Sequence, residues 1–181
     1  MAKKKLILFF GMLLLWAVGL SAYTPYAPVS QFDESIFKIE EDQYLGKTAP
    51  DFYFYKRNGS LGKLSDFKDK PVLLSLVFYK CAYACLVLNQ ELAQGLKNTG
   101  LTIGKDFHLL TLSFNNLENQ TNAEDFRNSL QNKLKDNLPD NFEAWIFATS
   151  TQEQIKKITD SLGYRFFYSQ EDKTFYHPNV Y

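Results

Sequence analysis

The chain has 181 residues, in which 20 lysines and arginines balance 20 aspartates and glutamates. This neutral composition lacks the basic excess that nucleic-acid binding or a polybasic membrane contact requires, so neither is expected. The length is sufficient for one compact domain with a sizeable hydrophobic core.

The first residues have the pattern of an export signal. Lys3–Lys5 precede the apolar segment Leu6–Leu20, and the small residues Ser21 and Ala22 follow it. The apolar segment is shorter than the roughly 20 residues that a membrane-spanning helix needs. Leu20 occupies a position where signal cleavage favours a small residue, so residues 1–22 are either a cleaved signal peptide or an uncleaved signal anchor. No cysteine follows the segment, which argues against a lipoprotein anchor. We expect the rest of the chain to be extracytoplasmic, in the periplasm or at the outer face of the cytoplasmic membrane.

Residues 23–44 contain prolines and little periodicity, and we interpret them as a tether that leads into a domain over residues 45–181. The domain is predicted to begin with a β-hairpin. The dipeptide Asn58-Gly59 is a strong turn signal, and it lies between the extended segments 52–55 and 62–64.

The remainder of the domain alternates strands with helices. The apolar run over residues 72–78 is typical of a central strand covered on both faces. Further strands are predicted at 107–114 and 143–147, with extended segments at 164–167 and 175–176. Three apolar stripes at helical spacing predict three helices: Leu88, Leu92 and Leu96; Phe126, Leu130 and Leu134; Ile155, Ile158 and Leu162.

Local signals set the ends of these helices. Pro139 terminates the second one, Ser150 and Glu153 form a capping box for the third, and Gly163 ends it. The alternation predicts an α/β fold with a mostly parallel central sheet flanked by helices. The last residues, 177–181, have the pattern of a new strand, so we expect C-terminal elements of the fold to be missing.

Cys81 and Cys85 are the residues from which a function can be argued. They are the only cysteines, and they lie where the strand over residues 72–78 gives way to a helix. Thioredoxin-like folds present reactive sulfur at this place. Thioredoxins have two residues between their cysteines and this chain has three, which favours binding of a soft metal over disulfide exchange. Copper(I) prefers thiolate and imidazole ligands, and a helix N-terminus stabilises the thiolate form.

Other interpretations of these residues are weaker. A structural disulfide between Cys81 and Cys85 would close a small loop and so restrict the unfolded chain little. Peroxiredoxins carry a threonine three residues before the reactive cysteine, and Ala82 stands there. His108 is predicted to be a solvated residue at a strand end, and Trp145 is predicted to be a core residue.

Several motifs resemble those of the Sco/SenC family, in the same order and over residues 45–181. They are Gly46-x-x-Ala49-Pro50-Asp51-Phe52, Lys70-Pro71-Val72-Leu73-Leu74, Cys81-x-x-x-Cys85, the strand with Trp145, Leu162-Gly163-Tyr164, and His177. The resemblance implies a thioredoxin-like, membrane-associated protein that binds one copper ion per monomer through two cysteines and a distant histidine. Carried over to this chain, the metal ligands are Cys81, Cys85 and His177.

The resemblance also implies a function. It is that of a copper metallochaperone, which delivers copper to the copper A site of cytochrome c oxidase or to another copper recipient. The alternative is an extracytoplasmic thiol–disulfide oxidoreductase that reduces the cysteines of a copper-site partner and is served by a thioredoxin-like reductant. In that case Cys81 and Cys85 are redox-active thiols and His177 is dispensable.

This chain departs from the family pattern at three places. Ala82 stands where a proline is common, and Ser113-Phe114-Asn115-Asn116 replaces the family's Ser-x-Asp-Pro. We expect the C-terminal hairpin of the family to be missing from these residues. The loss of the aspartate carboxylate bears on any redox or docking role that it serves, and we interpret Asn115 and Asn116 as ordinary loop residues.

Overall fold

The computed structural model describes residues 24–178, so the predicted signal peptide or anchor, residues 1–22, lies outside the described residues. The helices are α1 (Glu41–Tyr44), α2 (Ala84–Lys97), α3 (Gln120–Leu134) and α4 (Gln152–Leu162). The strands are β1 (Tyr53–Lys56), β2 (Leu61–Lys63), β3 (Val72–Val77), β4 (His108–Ser113), β5 (Ile146–Thr149), β6 (Phe167–Ser169) and β7 (Thr174–Tyr176). Within this part of the chain, no helix has both the length and the hydrophobicity needed to cross a membrane.

The central sheet has the strand order β2-β1-β5-β4-β3. Strands β3, β4 and β5 are parallel, as helical crossovers between consecutive strands require. The hairpin β1–β2 adds to the edge of β5 in the antiparallel sense. Strands β6 and β7 form a separate antiparallel pair. This architecture confirms the predicted thioredoxin-like α/β fold with its N-terminal hairpin.

The position of β3 differs from the prediction of a central strand. Within residues 24–178, β3 pairs with β4 alone and is therefore an edge strand. Leu73 is exposed, and Leu74 and Leu76 on the opposite face border an open groove that Leu162 also lines. The prediction was wrong because an apolar run reports which side chains avoid water and says nothing about how many strands pair with the backbone.

Aromatic side chains fill most of the core. Trp145 is buried, as predicted, and its indole Nε1 donates a hydrogen bond to Thr111 Oγ1 at 2.9 Å. Its ring stacks on that of Phe147, and Phe126 packs on the other side of Phe147. These contacts pack α3 against the sheet.

Two helix details differ from the sequence prediction. The buried residues of α2 are Cys85, Asn89, Ala93 and Leu96, so Leu88 and Leu92 lie at the margin of the core. The cap of α4 is Thr151, whose side chain accepts from the Gln154 N–H, and the predicted Ser150–Glu153 box does not form. Ser150 instead donates to the carbonyl of Tyr53, because packing of the hairpin offers its hydroxyl a partner outside the helix.

The segment predicted as a tether is packed against the domain from residue 24 onward. The Tyr26 ring contacts Phe166 edge to face, and the Val29 N–H donates to the Phe166 carbonyl at 3.3 Å. Ile36, in a single 3₁₀ turn, is fully buried. Aromatic and aliphatic residues between the prolines give this segment an apolar face, which the periodicity of the sequence does not reveal.

Candidate metal centre

Cys81 lies in the loop after β3, and Cys85 lies in the first turn of α2. Both are free thiols. Parallel strand β3 ends at the same edge of the sheet as β4, so this loop and the loop after β4 lie side by side. The two cysteines therefore lie at the carboxyl edge of the sheet, where open α/β folds place their functional residues.

The sulfur of Cys81 takes the place of an N-cap for α2. Tyr83 is the residue at the cap position, and its side chain makes no cap hydrogen bond. Instead, the Cys85 N–H points at Cys81 Sγ at 3.4 Å, and the N–H groups of Tyr83 and Ala84 also face this sulfur. The first amides of a helix lack partners within the helix and favour an anion, so they stabilise a thiolate at this position.

The pKa of Cys81 is lowered to about 5, first because the thiol of Cys85 donates a hydrogen bond to its sulfur and then because of these backbone amides. Cys81 is half-buried, whereas Cys85 is 1% exposed. The pKa of Cys85 is raised, first by the same hydrogen bond, in which it is the donor, and then by burial. The structure thus pairs an accessible thiolate with a buried, protonated thiol.

A buried carboxylate lies beside the pair. Glu118, in the loop after β4, is 5% exposed and accepts the backbone N–H groups of Tyr79 and Lys80, each at 2.7 Å. Ser113 Oγ donates to it at 2.6 Å. Burial raises the pKa of Glu118, and its charge adds to the causes that raise the pKa of Cys85. The sequence analysis missed Glu118; its position shortly after a core strand, at the functional edge of the sheet, was the available signal.

His177 follows β7 and packs on two phenylalanine rings, at 6.0 Å from Phe78 and 5.2 Å from Phe114 between ring centroids. Phe78 is also in contact with Cys85, because the Phe78 backbone N–H faces the Cys85 sulfur. The imidazole Nδ1 lies 3.0 Å from the Tyr164 hydroxyl and 3.0 Å from the Pro178 carbonyl oxygen. Phe78 therefore contacts both the imidazole, through its ring, and Cys85, through its backbone.

The described residues bring Cys81 and Cys85 together but do not complete a three-ligand group. Among residues 24–178, no three His, Cys, Asp or Glu side chains lie close enough to hold a metal ion. The other histidine, His108, begins β4 at the opposite edge of the sheet, where its Nε2 lies 2.8 Å from Asp69 Oδ1. His108 is at a strand end, as predicted, but it is not solvated, since its side chain is 18% exposed and its ring lies against that of Phe67.

Asn115 and Asn116 shape the loop next to the site. The Asn115 side chain accepts from the Leu117 N–H at 3.0 Å, and its own N–H donates to Ser113 Oγ. Asn116 Oδ1 accepts the Tyr26 N–H at 2.7 Å, which ties the N-terminal segment to this loop. Both asparagines thus satisfy backbone groups, and neither supplies a charge.

Solved structures resemble this one over about three quarters of the chain. A protein of Aquifex aeolicus for which a role in electron transfer has been suggested is 27% identical, with a TM-score of 0.62 over 75% of each chain. A SCO1/SenC family lipoprotein from Bacillus anthracis has a TM-score of 0.56 at 18% identity, over 74% of this chain and 75% of that one. The fold is that of the Sco/SenC proteins.

Among these Sco structures is that of ScoI from Arabidopsis thaliana, which was solved with copper bound. It has a TM-score of 0.56 at 16% identity, over 72% of this chain and 76% of that chain. No protein-family model matches the chain, and no curated protein matches it in sequence. The Sco/SenC architecture predicted from the motifs is confirmed by the structures.

Proposed function

We propose that this chain binds one copper ion through Cys81, Cys85 and His177 and delivers it to a copper recipient, with the copper A site of cytochrome c oxidase as the destination that the Sco resemblance implies. The observation that carries the proposal is the thiol pair at the N-terminus of α2, where the Cys85 thiol and the helix amides lower the pKa of Cys81 to about 5. Thiolate sulfur is the ligand that copper(I) prefers.

The two cysteines contribute differently to binding. Cys81 is accessible and ionised above about pH 5, so it is the first ligand to reach the metal. Cys85 holds its proton and must release it when it becomes a ligand. The amides of the first turn of α2 stabilise the negative charge of the resulting dithiolate. Copper loading is therefore expected to release a proton, mainly from Cys85.

His177 is the third proposed ligand. Its Nδ1 lies 3.0 Å from the Pro178 carbonyl oxygen, which can only accept, and the tautomer that satisfies this contact carries its proton on Nδ1 and has a free lone pair on Nε2. Among residues 24–178, no hydrogen bond occupies Nε2. Because no three-ligand group forms among residues 24–178, binding requires the imidazole to move from its contact with Phe78 onto the sulfur pair. A third ligand that arrives from a separate segment also leaves the metal accessible to a recipient.

The chain provides a matched test, since it contains two histidines. His177→Ala should abolish tight copper binding and the thiolate–copper(II) charge-transfer absorption, whereas His108→Ala, at the opposite edge of the sheet, should retain both. Metal analysis of the reduced protein and its absorption spectrum provide the readouts. Equal copper affinity in the parent and in His177→Ala would show that the histidine is not a ligand.

The unequal pKa values of the thiols favour one second candidate, thiol–disulfide exchange. The Cys81 thiolate would attack a partner's disulfide and form a mixed disulfide while one partner thiolate leaves. Cys85, after losing its proton, would then attack the Cys81 sulfur, close the Cys81–Cys85 disulfide and release the second partner thiol. The pair is oxidised and the partner reduced, and a thioredoxin-like reductant would restore the dithiol. This activity should survive His177→Ala and be lost in Cys81→Ser.

The place of action follows from the N-terminal sequence. The lysines and the apolar segment of residues 1–22 support export, either as a cleaved signal or as a membrane anchor. We therefore propose an extracytoplasmic protein in which residues 45–181 form the copper-binding domain. Recipient and reductant would both be reached at the outer face of the membrane.

A further inference from the structure

Glu118 is a buried carboxylate whose hydrogen bonds all go to the loop that carries Cys81 or to β4. Its two oxygens accept separate N–H groups, Tyr79 on Oε2 and Lys80 on Oε1. Ser113, the last residue of β4, donates its hydroxyl to Oε2. The described part of the chain contains no salt bridge to this carboxylate. Glu118 thus joins the ends of two neighbouring parallel strands through hydrogen bonds, and the Lys80 charge acts on it without a direct ion pair among residues 24–178.

The loop between β3 and α2 depends on Glu118 because the β3–β4 ladder ends before Tyr79 and Lys80. The ladder between β3 and β4 ends at Val77 and Ser113, with one further bond from the Phe114 N–H to the Val77 carbonyl. Beyond Val77 the N–H groups of Tyr79 and Lys80 have no strand to bond to. Backbone N–H groups that leave water must find another acceptor, and here the acceptor is Glu118.

The hydrogen bonds to Glu118 fix the position of the backbone that leads into Cys81. Cys81 follows Lys80 directly, and its own N–H donates to the Phe78 carbonyl at 3.1 Å. The Cys81 sulfur then accepts the Cys85 N–H at the start of α2. The chain between β3 and α2 is therefore held at both ends, by the carboxylate on one side and by the helix amides on the other.

We propose that Glu118 is a positioning residue for the thiol pair: by bonding the Tyr79 and Lys80 amides, it holds the Cys81 sulfur within reach of Cys85. The inference rests on the proposed function only in taking this pair as the working site. It gives Glu118 a role that neither Asn115 nor Asn116, whose side chains bond other backbone groups, can perform.

The test uses the full chain without metal. Dithiothreitol reduces the Cys81–Cys85 disulfide to two thiols and is itself oxidised to its cyclic disulfide, so the equilibrium with this reagent measures how well the two sulfurs are held together. Glu118→Gln keeps the size of the side chain but has one acceptor oxygen, so one of the two loop amides loses its partner. We expect the equilibrium to shift about tenfold toward the dithiol, which corresponds to about 30 mV.

Tyr79→Phe is the matched control for a general loss of stability. It removes a buried hydroxyl that lies within hydrogen-bond distance of the Thr111 and Ala148 carbonyls. The Tyr79 backbone N–H still donates its hydrogen bond to Glu118. This variant should unfold more easily and leave the dithiol–disulfide equilibrium within about twofold of the parent. An equal shift in both variants, or no shift in Glu118→Gln, would overturn the proposal.

Two measurements apply even if Glu118→Gln does not fold. Hydrogen exchange of the parent should show the Tyr79 and Lys80 amides protected as well as those of β3, and rapid exchange at either one contradicts the bonds proposed. Ser113→Ala removes the hydroxyl bond to Glu118 but keeps the bonds from the Tyr79 and Lys80 amides, so it should preserve the dithiol–disulfide equilibrium. Since no copper is present, a failure of copper binding overturns the proposed function without touching this inference, and the reverse also holds.

Discussion

The chemistry of this protein depends on how differently the structure treats two identical residues. Cys81 and Cys85 are four positions apart, yet one is accessible and the other is 1% exposed. The hydrogen bond between the two thiols lowers the pKa of Cys81, as do the amides at the start of α2. The same hydrogen bond, followed by burial, raises the pKa of Cys85. Two residues that are identical in the sequence therefore differ in exposure and in pKa once the chain is folded.

This difference predicts the alkylation behaviour of the thiols. Because the thiolate is the reactive form, the rate at which iodoacetamide modifies Cys81 should rise around pH 5 and stay level above it, and Cys85 should remain unmodified. In Cys85→Ala the thiol donor is lost, so the midpoint should move to higher pH. Mass spectrometry of the modified peptides measures both. A midpoint near the ordinary value of 9.0 in the parent would contradict the proposed thiolate.

Glu118 shows what single-sequence reasoning overlooks at the level of one residue. By its sequence the chain lacks the carboxylate of the Sco/SenC pattern, since Asn115 stands where that pattern has an aspartate. The structure has a carboxylate on the same loop that reaches the amides before Cys81. A motif comparison by position does not find Glu118, because its role depends on which backbone groups the folded loop brings to it.

Helix α4 illustrates how its two ends are determined differently. Its C-terminus follows from sequence, because Gly163 adopts the left-handed conformation, with φ at 65°, that a helix stop requires. Its N-terminus begins one residue later than predicted, since Ser150 bonds the hairpin and Thr151 caps the helix in its place. The sequence signal predicted the C-terminus of α4 correctly, whereas at the N-terminus a tertiary hydrogen bond engaged the predicted capping residue, Ser150.

Two glycines, one at the end of a helix and one inside a helix, test whether backbone conformation governs these positions. Gly163→Ala should destabilise the protein by at least about 1 kcal/mol, because alanine disfavours positive φ and its Cβ would meet the Tyr44 ring. Gly95→Ala, inside α2 with open space around it, should instead stabilise by up to about 1 kcal/mol. Denaturant unfolding of the two variants measures the difference. Equal effects of the same sign would show that the backbone conformation does not govern these positions.

The whole molecule extends beyond the α/β unit recognised in the sequence. The N-terminal segment from residue 24 contributes the buried Ile36 and bonds through Tyr26 to the loop beside the thiol pair. Phe32 of the same segment packs on Tyr176, the residue before His177. The segment thus contacts both the loop at the carboxyl edge of the sheet and the strand that carries the proposed third ligand.

Neighbouring residues test whether this segment belongs to the folded unit. Ile36→Ala removes a side chain with no exposed surface, so we expect a loss of about 2 to 4 kcal/mol in the free energy of unfolding. Phe37→Ala removes a larger side chain that is 46% exposed, and the loss should be below about 1 kcal/mol. The reverse order, measured by denaturant unfolding, would mean that residues 24–44 are only a tether.

The sequence by itself determined the α/β alternation, the N-terminal hairpin, the core position of Trp145 and the place of Cys81 and Cys85 between a strand and a helix. These follow from hydrophobic periodicity and turn chemistry, which act over a few neighbouring residues. Only the tertiary structure decided that β3 is an edge strand in residues 24–178, that Glu118 accepts the Tyr79 and Lys80 amides, that the pKa values of the two thiols shift in opposite directions and that His177 packs on Phe78. Each of these depends on which distant segments meet, and hydrogen bonds, burial and charge at such meetings leave no periodic pattern in the chain.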